Sequence, residues 1–248
     1  MGFANYVLLK LYGARGIELT GFLGGLVNST VTLTELTQRA RAAGGRLSDV
    51  TYRGVVLATG AMLIRNAVIL GLLAPAALLG SAVPLTLMIG GAAFAVVTHG
   101  RRNTAGTTPD GREGQTGQPA HEPLLPALES PFSLTAAFKF GIIFLVLQIG
   151  GTFAQRVLGH WGFYAVSVAG GIVSSASAVA SAANLAAAGT LPPQVAGIGA
   201  VWASAASAIV NLPLVARLAK DRVLTWKLTW VLGGIVVLGV LGAIVQDF

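Results

Sequence analysis

The sequence contains no cysteine and few charged residues. The lack of cysteine excludes disulfide bonds, thiolate metal sites and cysteine nucleophiles. Charged residues make up 10% of the chain, whereas a soluble domain carries about 25% and needs them to cover its surface. Hydrophobic residues reach 54% and the mean hydropathy is +0.75. This composition predicts an all-α, polytopic integral membrane protein whose immediate partner is the lipid bilayer.

Motifs for catalysis and cofactor binding are also missing. His99, His121 and His160 lack the spacing of metal ligands, and neither a P-loop nor a nucleophile-elbow motif occurs. The net charge of +7 comes mostly from Lys and Arg in short gaps between apolar runs rather than from one basic face. We therefore expect no enzymatic activity, no metal, no cofactor and no nucleic-acid partner.

Seven segments have the length of a membrane helix, about 20 residues. Two of them, residues 17–36 and 162–188, are rich in Gly, Ser, Thr and Asn, which predicts atypical membrane helices. The polar segment 99–131 holds five of the ten prolines, so we expect a disordered aqueous loop. The five clearly apolar segments are residues 54–74, 79–98, 134–158, 194–216 and 225–246.

An internal repeat emerges when the sequence is compared with itself at a shift of 146 residues. Gly24 and Gly25 fall on Gly170 and Gly171, within the strings GGLVNST and GGIVSSA. This alignment predicts a first membrane repeat over residues 1–98, a polar loop over 99–133 and a second membrane repeat over 134–248. Residues 1–10 align with only the second half of an apolar segment. The first helix is therefore predicted to be truncated, either because a longer protein continues upstream or because a separate chain supplies the rest.

The distribution of basic residues gives an indication of topology. If all seven segments crossed the membrane, Lys and Arg outside the spans would divide seven against eight, which favours neither orientation. If the two glycine-rich segments are instead re-entrant or broken, fourteen share one side and only Arg156 opposes them. That asymmetry favours a cytoplasmic polar loop and inverted repeats. The alternative is a weakly biased protein with parallel repeats.

The candidate site combines the two glycine pairs with polar residues inside the spans. A helix that unwinds after a glycine pair presents main-chain groups and hydroxyls to a ligand, whereas the alternative role of such glycines is close helix packing. Arg65 lies inside an apolar span, and the repeat places Asn211 at the equivalent position. The candidate ligand-binding residues are Gly24, Gly25, Asn28, Ser29, Arg65, Gly170, Gly171, Ser174, Ser175 and Asn211.

Arg65 is the strongest single indication of function. A charge at this depth costs at least about 2.5 kcal/mol and usually has a partner or faces water. We expect Arg65 to face the protein interior near an acidic or carbonyl group, with Glu18 and Glu35 as the candidate carboxylates. The alternative is a structural ion pair that holds helices together.

The sequence resembles the MgtC/SapB family of bacterial membrane proteins, specifically the membrane domain that follows the MgtC-like portion in longer members. The resemblance rests on NYVLLKLYGARG (residues 5–16), TGFLGGLVNST (20–30), LTQRARAAGG (36–45) and GGIVSSASAVASAANLA (170–186). It implies a bacterial inner-membrane location and a missing MgtC-like portion. It implies no established activity.

Two functions remain open at this point. The repeat favours a transporter-like domain that handles an ion or small solute between its halves. The resemblance allows a non-transporting accessory protein that regulates a membrane complex, with an MgtC-like partner or a second copy of this chain.

A protease should cleave the polar segment 99–131 only from the cytoplasmic side, because the segment is rich in proline and has Arg101 and Arg102 near its start. Trypsin treatment of sealed vesicles of either orientation provides the measurement. Cleavage confined to right-side-out vesicles would contradict this topology.

Overall fold

A computed structural model describes residues 14–42, 48–104, 134–219 and 221–247 of the protein. The truncated helix predicted at residues 1–10 lies outside these ranges. Most of the polar loop predicted at residues 99–133 lies outside them as well.

All regular secondary structure within these ranges is helical. Five of the helices are long and apolar enough to cross a membrane, so the chain is a multi-pass membrane protein, as its composition predicts. Large apolar side chains such as Leu72, Phe94 and Phe138 are exposed, which suits a surface in contact with lipid. The helices are α1 (Ala14–Ala42), α2 (Ser48–Leu73), α3 (Pro75–Leu79), α4 (Ala82–Thr104), α5 (Leu134–Ala187), α6 (Pro193–Ala219) and α7 (Arg222–Asp247).

One boundary differs from the sequence prediction. Helix α4 continues to Thr104, although we expected the polar loop to begin at His99. The His99 ring packs on Tyr52, with ring centroids 4.2 Å apart, and its Nε2 lies 3.1 Å from Asp49 Oδ1. These contacts anchor the end of α4 on α2, which explains why the helix outlasts its apolar run.

Helix α5 is too long for one crossing. A straight helix of its 54 residues would measure about 81 Å, more than twice the hydrocarbon core of a bilayer. The chain turns at Gly159, where φ is 62° and ψ is −150°, a conformation that glycine adopts without strain. A Cβ added to Gly162 would overlap Ala154 O. The segment before Gly159 and the segment after it therefore lie against each other.

Two further interruptions occur at Asn28 in α1 and at Ser174 in α5. Their backbone angles are extended, with φ and ψ of −154° and 99° at Asn28 and −162° and 102° at Ser174. In a straight helix, residues eight apart are separated by about 12 Å. Here a Cβ added to Gly24 would overlap Thr32 Oγ1, and one added to Gly170 would lie 3.1 Å from Ala178 Cβ. The main chain of each helix therefore bends at its break, which brings the residues on its two sides close together.

The arm before each break packs closely along the following helix. A Cβ added to Gly21 would lie 2.6 Å from Gly54 O, and one added to Gly25 would lie 2.5 Å from Ala58 O. One added to Gly171 would lie 2.6 Å from Ala203 Cα. Only glycine allows main chains to approach this closely, so the glycine pairs bring α1 against α2 and α5 against α6.

Helix contacts occur in matched pairs across the two halves of the chain. The most extensive are those of α1 with α2 and of α5 with α6. Helix α1 also contacts α6, and α5 contacts α2. The last spans of the halves, α4 and α7, pack against each other. The broken helices thus lie between spans of both halves.

Polar contacts hold the helix ends at the two opposite ends of the bundle. At one end Ser48 Oγ donates to Asp221 Oδ2 at 3.2 Å, and Lys227 Nζ lies 3.7 Å from Asp49 Oδ1. At the other end Gln246 Nε2 donates to Leu79 O at 2.7 Å, and its Oε1 accepts from Val83 N at 3.0 Å. Helices α2 and α7 therefore begin at one end of the bundle and finish at the other.

Replacing Gly171 with Ala should lower the free energy of unfolding by about 1–3 kcal/mol, because the added methyl meets main-chain atoms of α6 that cannot move aside. Gly150 is the matched control on the same helix, since a Cβ there meets nothing within 4 Å. Gly150→Ala should be neutral or stabilising by up to about 1 kcal/mol. Denaturant titration in detergent measures both; equal effects would contradict the close packing.

Candidate functional site

Each helix break is capped by its own side chain. Asn28 Oδ1 accepts from Val31 N at 3.3 Å, and Ser174 Oγ accepts from Ser177 N at 3.3 Å. Both bonds run from the break residue to the amide three positions later, as at the N-terminus of a helix. The arm after each break is therefore a separate half-helix with its own N-terminus, the positive end of its dipole. Asn28 is exposed and Ser174 is partly buried, whereas Ser29 and Ser175, which follow them, are buried.

Arg65 joins the break in α1 to the break in α5. Its Nη1 donates to Leu26 O at 3.4 Å and to Val27 O at 3.2 Å, the carbonyls just before the first break. Its Nη2 donates to Ser175 Oγ at 3.2 Å, just after the second break, and to Asn66 Oδ1 at 3.4 Å. A guanidinium complements the negative C-terminal end of a half-helix, so this position in α2 suits arginine.

Asn211 makes the corresponding contact from the other half. Its side chain is 1% exposed, and Oδ1 accepts from Thr30 Oγ1 at 3.3 Å. Thr30 lies in the first turn after the break in α1. Arg65 in α2 thus reaches the break in α5, and Asn211 in α6 reaches the break in α1.

Asn66 was not among the residues predicted from the sequence. It is fully buried, and its Nδ2 donates to Ser204 Oγ on α6 at 2.9 Å. Ser204 Oγ donates in turn to Ala200 O at 2.8 Å. Asn66 therefore links α2 to α6 beside Arg65. The available signal was an amide inside a mostly apolar span, where a polar side chain usually hydrogen-bonds to a neighbouring helix.

The chain matches one known protein family over most of its length. The model of a family described as Domain of unknown function (DUF4010) matches residues 1–219, which include both breaks, Arg65 and Asn211. The chain belongs to this family. No curated protein and no solved structure matches it.

The four glycines of the predicted site allow close packing. Gly24 and Gly170 lie on the inner side of the two bends, against Thr32 and Ala178. Gly25 and Gly171 lie against the main chain of α2 and α6. The residues that follow the glycines carry the polar groups. Ser29 and Ser175 are each 5% exposed; Ser175 accepts from Arg65, and Ser29 makes no hydrogen bond to any residue that the structure describes.

No carboxylate whose side chain the structure describes hydrogen-bonds or forms an ion pair with Arg65. The side chain of Glu18, one expected partner, lies outside the described residues. The Nε atom of Arg65 is buried without a partner in the described part of the chain. Carbonyl and hydroxyl oxygens thus solvate the guanidinium but do not neutralise it. A positive charge at such a position costs about 2.5–3.5 kcal/mol on insertion scales.

Asn66 and Ser204 should be energetically coupled. In a double-mutant cycle with Asn66→Ala and Ser204→Ala, we expect a coupling of about 0.5–1.7 kcal/mol, the range of hydrogen bonds between membrane helices. The cycle removes the separate effect of losing the bond from Ser204 to Ala200 O. Unfolding in mixed detergent measures the four proteins, and additive effects would contradict a direct bond between α2 and α6.

Proposed function

We propose that this protein moves an ion or small solute through a site between its two halves, where the breaks in α1 and α5 approach each other. The observation that carries the proposal is that one side chain, Arg65, hydrogen-bonds at both breaks. Broken helices in transporters expose main-chain groups to a substrate near the centre of the membrane. At membrane depth, non-helical backbone is tolerated where it is buried in protein or lines a water-filled cavity.

We interpret the two broken segments as re-entrant hairpins of inverted repeats. The arm before Asn28 runs parallel to α2, since Gly21 meets Gly54 and Gly25 meets Ala58. In α5, the arm before Ser174 runs parallel to α6 in the same way, with Ser167 near Gly199 and Gly171 near Ala203.

The opposite directions of α2 and α6 support the inverted arrangement. Helix α6 begins against α3, where Gly80 meets Gln194 and Ala77 meets Gly197. That end of the bundle is where α2 finishes. The two hairpins would therefore enter from opposite faces of the membrane, and their breaks would meet between the faces.

We also propose a bacterial inner-membrane location, with the starts of α2 and α7 at the cytoplasmic side. The basic residues that the re-entrant topology collects on one side, among them Arg53, Arg222 and Lys227, support this orientation.

The second candidate function is an accessory role in a membrane complex. It is supported by the resemblance to MgtC/SapB proteins, which implies an MgtC-like portion as partner. The exposed apolar surface of α5 before Gly159, with Phe138, Val146 and Phe153 outward, offers room for such a partner or for a second copy of the chain.

Reconstitution into liposomes distinguishes these functions. Purified protein should move a solute alone, and Arg65→Leu should remove that flux while insertion and abundance persist. Arg156→Leu is the matched control, because Arg156 is exposed and touches neither break. If Arg65→Leu also loses abundance, Ser175→Ala is the milder variant, and flux should still fall. Absence of flux for every solute, together with co-purification in a larger assembly, would favour the accessory role.

A further inference from the structure

We propose that the solute is a monovalent anion, bound by Arg65 and by the half-helix N-termini that begin after Asn28 and Ser174. This inference rests on the proposed function, because it names the chemical class of the solute at the same site. It follows from the charge at the site and from the kind of polar groups left without partners.

The charges at the breaks leave one positive unit. Each break joins the C-terminal end of one half-helix to the N-terminal end of the next, with partial charges of about −0.5 and +0.5. These partial charges offset each other within each break. Arg65 adds a full positive charge, and no acidic side chain that the structure describes pairs with it. One monovalent anion would restore neutrality.

Polar groups without partners at this place are hydrogen-bond donors. The Oδ1 of Asn211 is held by Thr30 Oγ1, which fixes the amide at the first turn of the half-helix. Asn211 is 1% exposed, yet its Nδ2 meets no acceptor among the described residues. The buried Nε of Arg65 is likewise unpaired within the described part of the protein. A buried donor such as Arg65 Nε normally has an acceptor, and an anion supplies one.

The hydroxyl groups at the breaks can also donate to an anion. Ser175 Oγ accepts from Arg65, which leaves its own O–H free to donate. Ser29, almost fully buried, has its O–H available in the same way. Both serines follow a cap residue directly, so their hydroxyl groups lie at the positive end of a half-helix, where anions bind.

A cation is disfavoured at the same site. The carbonyl oxygens that could coordinate one, Leu26 O and Val27 O, already accept from Arg65. A cation there would also lie beside a fixed guanidinium in a region of low dielectric constant, where like charges repel strongly. A multivalent anion would exceed the single positive charge that the site provides.

Binding can be measured apart from transport. The unfolding midpoint of the purified chain in detergent is recorded in chloride, nitrate or formate at constant ionic strength, with gluconate as the large reference anion. A ligand that binds only the folded state raises the midpoint, so the small anions should raise it by a few degrees. Arg65→Gln should remove the difference between anions, and Arg156→Gln should keep it.

A second variant covers the case in which Arg65→Gln does not fold. Asn211→Ala removes the unpaired amide and should weaken the apparent affinity for the small anions roughly tenfold. Equal midpoints in all four anions for the wild-type protein would overturn the proposal. An anion dependence that persists unchanged in every folded variant of Arg65 and Asn211 would overturn it as well.

Flux through liposomes then separates this inference from the proposed function. With the membrane potential clamped by valinomycin, efflux of chloride, nitrate or formate should appear and should depend on Arg65. Movement of sodium or glycerol in place of anions would overturn the anion proposal and leave transport standing. Anion-specific stabilisation without flux of any solute would support the anion site and contradict transport.

Discussion

A helix that stops inside a bilayer leaves carbonyl and amide groups where water cannot reach them. Helices α1 and α5 are each interrupted once in their glycine-rich part, at Asn28 and Ser174. The side chain of each break residue accepts a hydrogen bond from an amide of the arm that follows. Arg65 donates to carbonyls of the arm before the break in α1. The desolvation cost of the arginine is partly offset because it satisfies groups that would otherwise have no partner.

Small residues make that arrangement possible. Lipid gives helices no hydrophobic reason to associate, so contact depends on close packing. Gly25 and Gly171 place the broken helices within direct main-chain contact of α2 and α6. At that separation the side chain of Arg65 reaches the break in α5, and the side chain of Asn211 reaches the first turn after the break in α1. Larger residues at the two glycines would push the helices apart and leave the side chains short of their partners.

The sequence predicts the helical membrane class and the five apolar spans, because a bilayer imposes length and composition directly. The ends of those spans are less predictable. Helix α7 begins before its apolar run, since Asp221 Oδ1 caps Val223 N and Leu224 N, and capping is independent of hydropathy. Glycine pairs predict interruptions, and the breaks fall a few residues after them, where a side chain can cap the next arm.

The candidate site is predictable only in part for a related reason. Arg65 stands out because a charge in an apolar span is costly wherever it points. Asn66 gives a weaker signal, because its contribution to the site depends on its hydrogen bond to Ser204 on α6. Hydropathy does not reveal which helices will be neighbours. Arg65 was expected near an acidic or carbonyl group, and it donates to the main-chain carbonyls of Leu26 and Val27. The sequence could not identify these carbonyls, because main-chain oxygens freed by a break have no signature in the side chains.

The two halves place different chemistry at equivalent positions. Arg65 hydrogen-bonds at the break of its own half and at that of the other, whereas among the described residues Asn211 hydrogen-bonds through its side chain to Thr30 in the other half. The helices of the two halves make matching contacts, but only the position in the first half, Arg65, carries a charge, since Asn211 is neutral. A charged particle approaching from one membrane face meets a different electrostatic profile from one approaching from the opposite face. For the anion transport proposed above, this asymmetry predicts rectification, in which the currents at equal and opposite voltages differ.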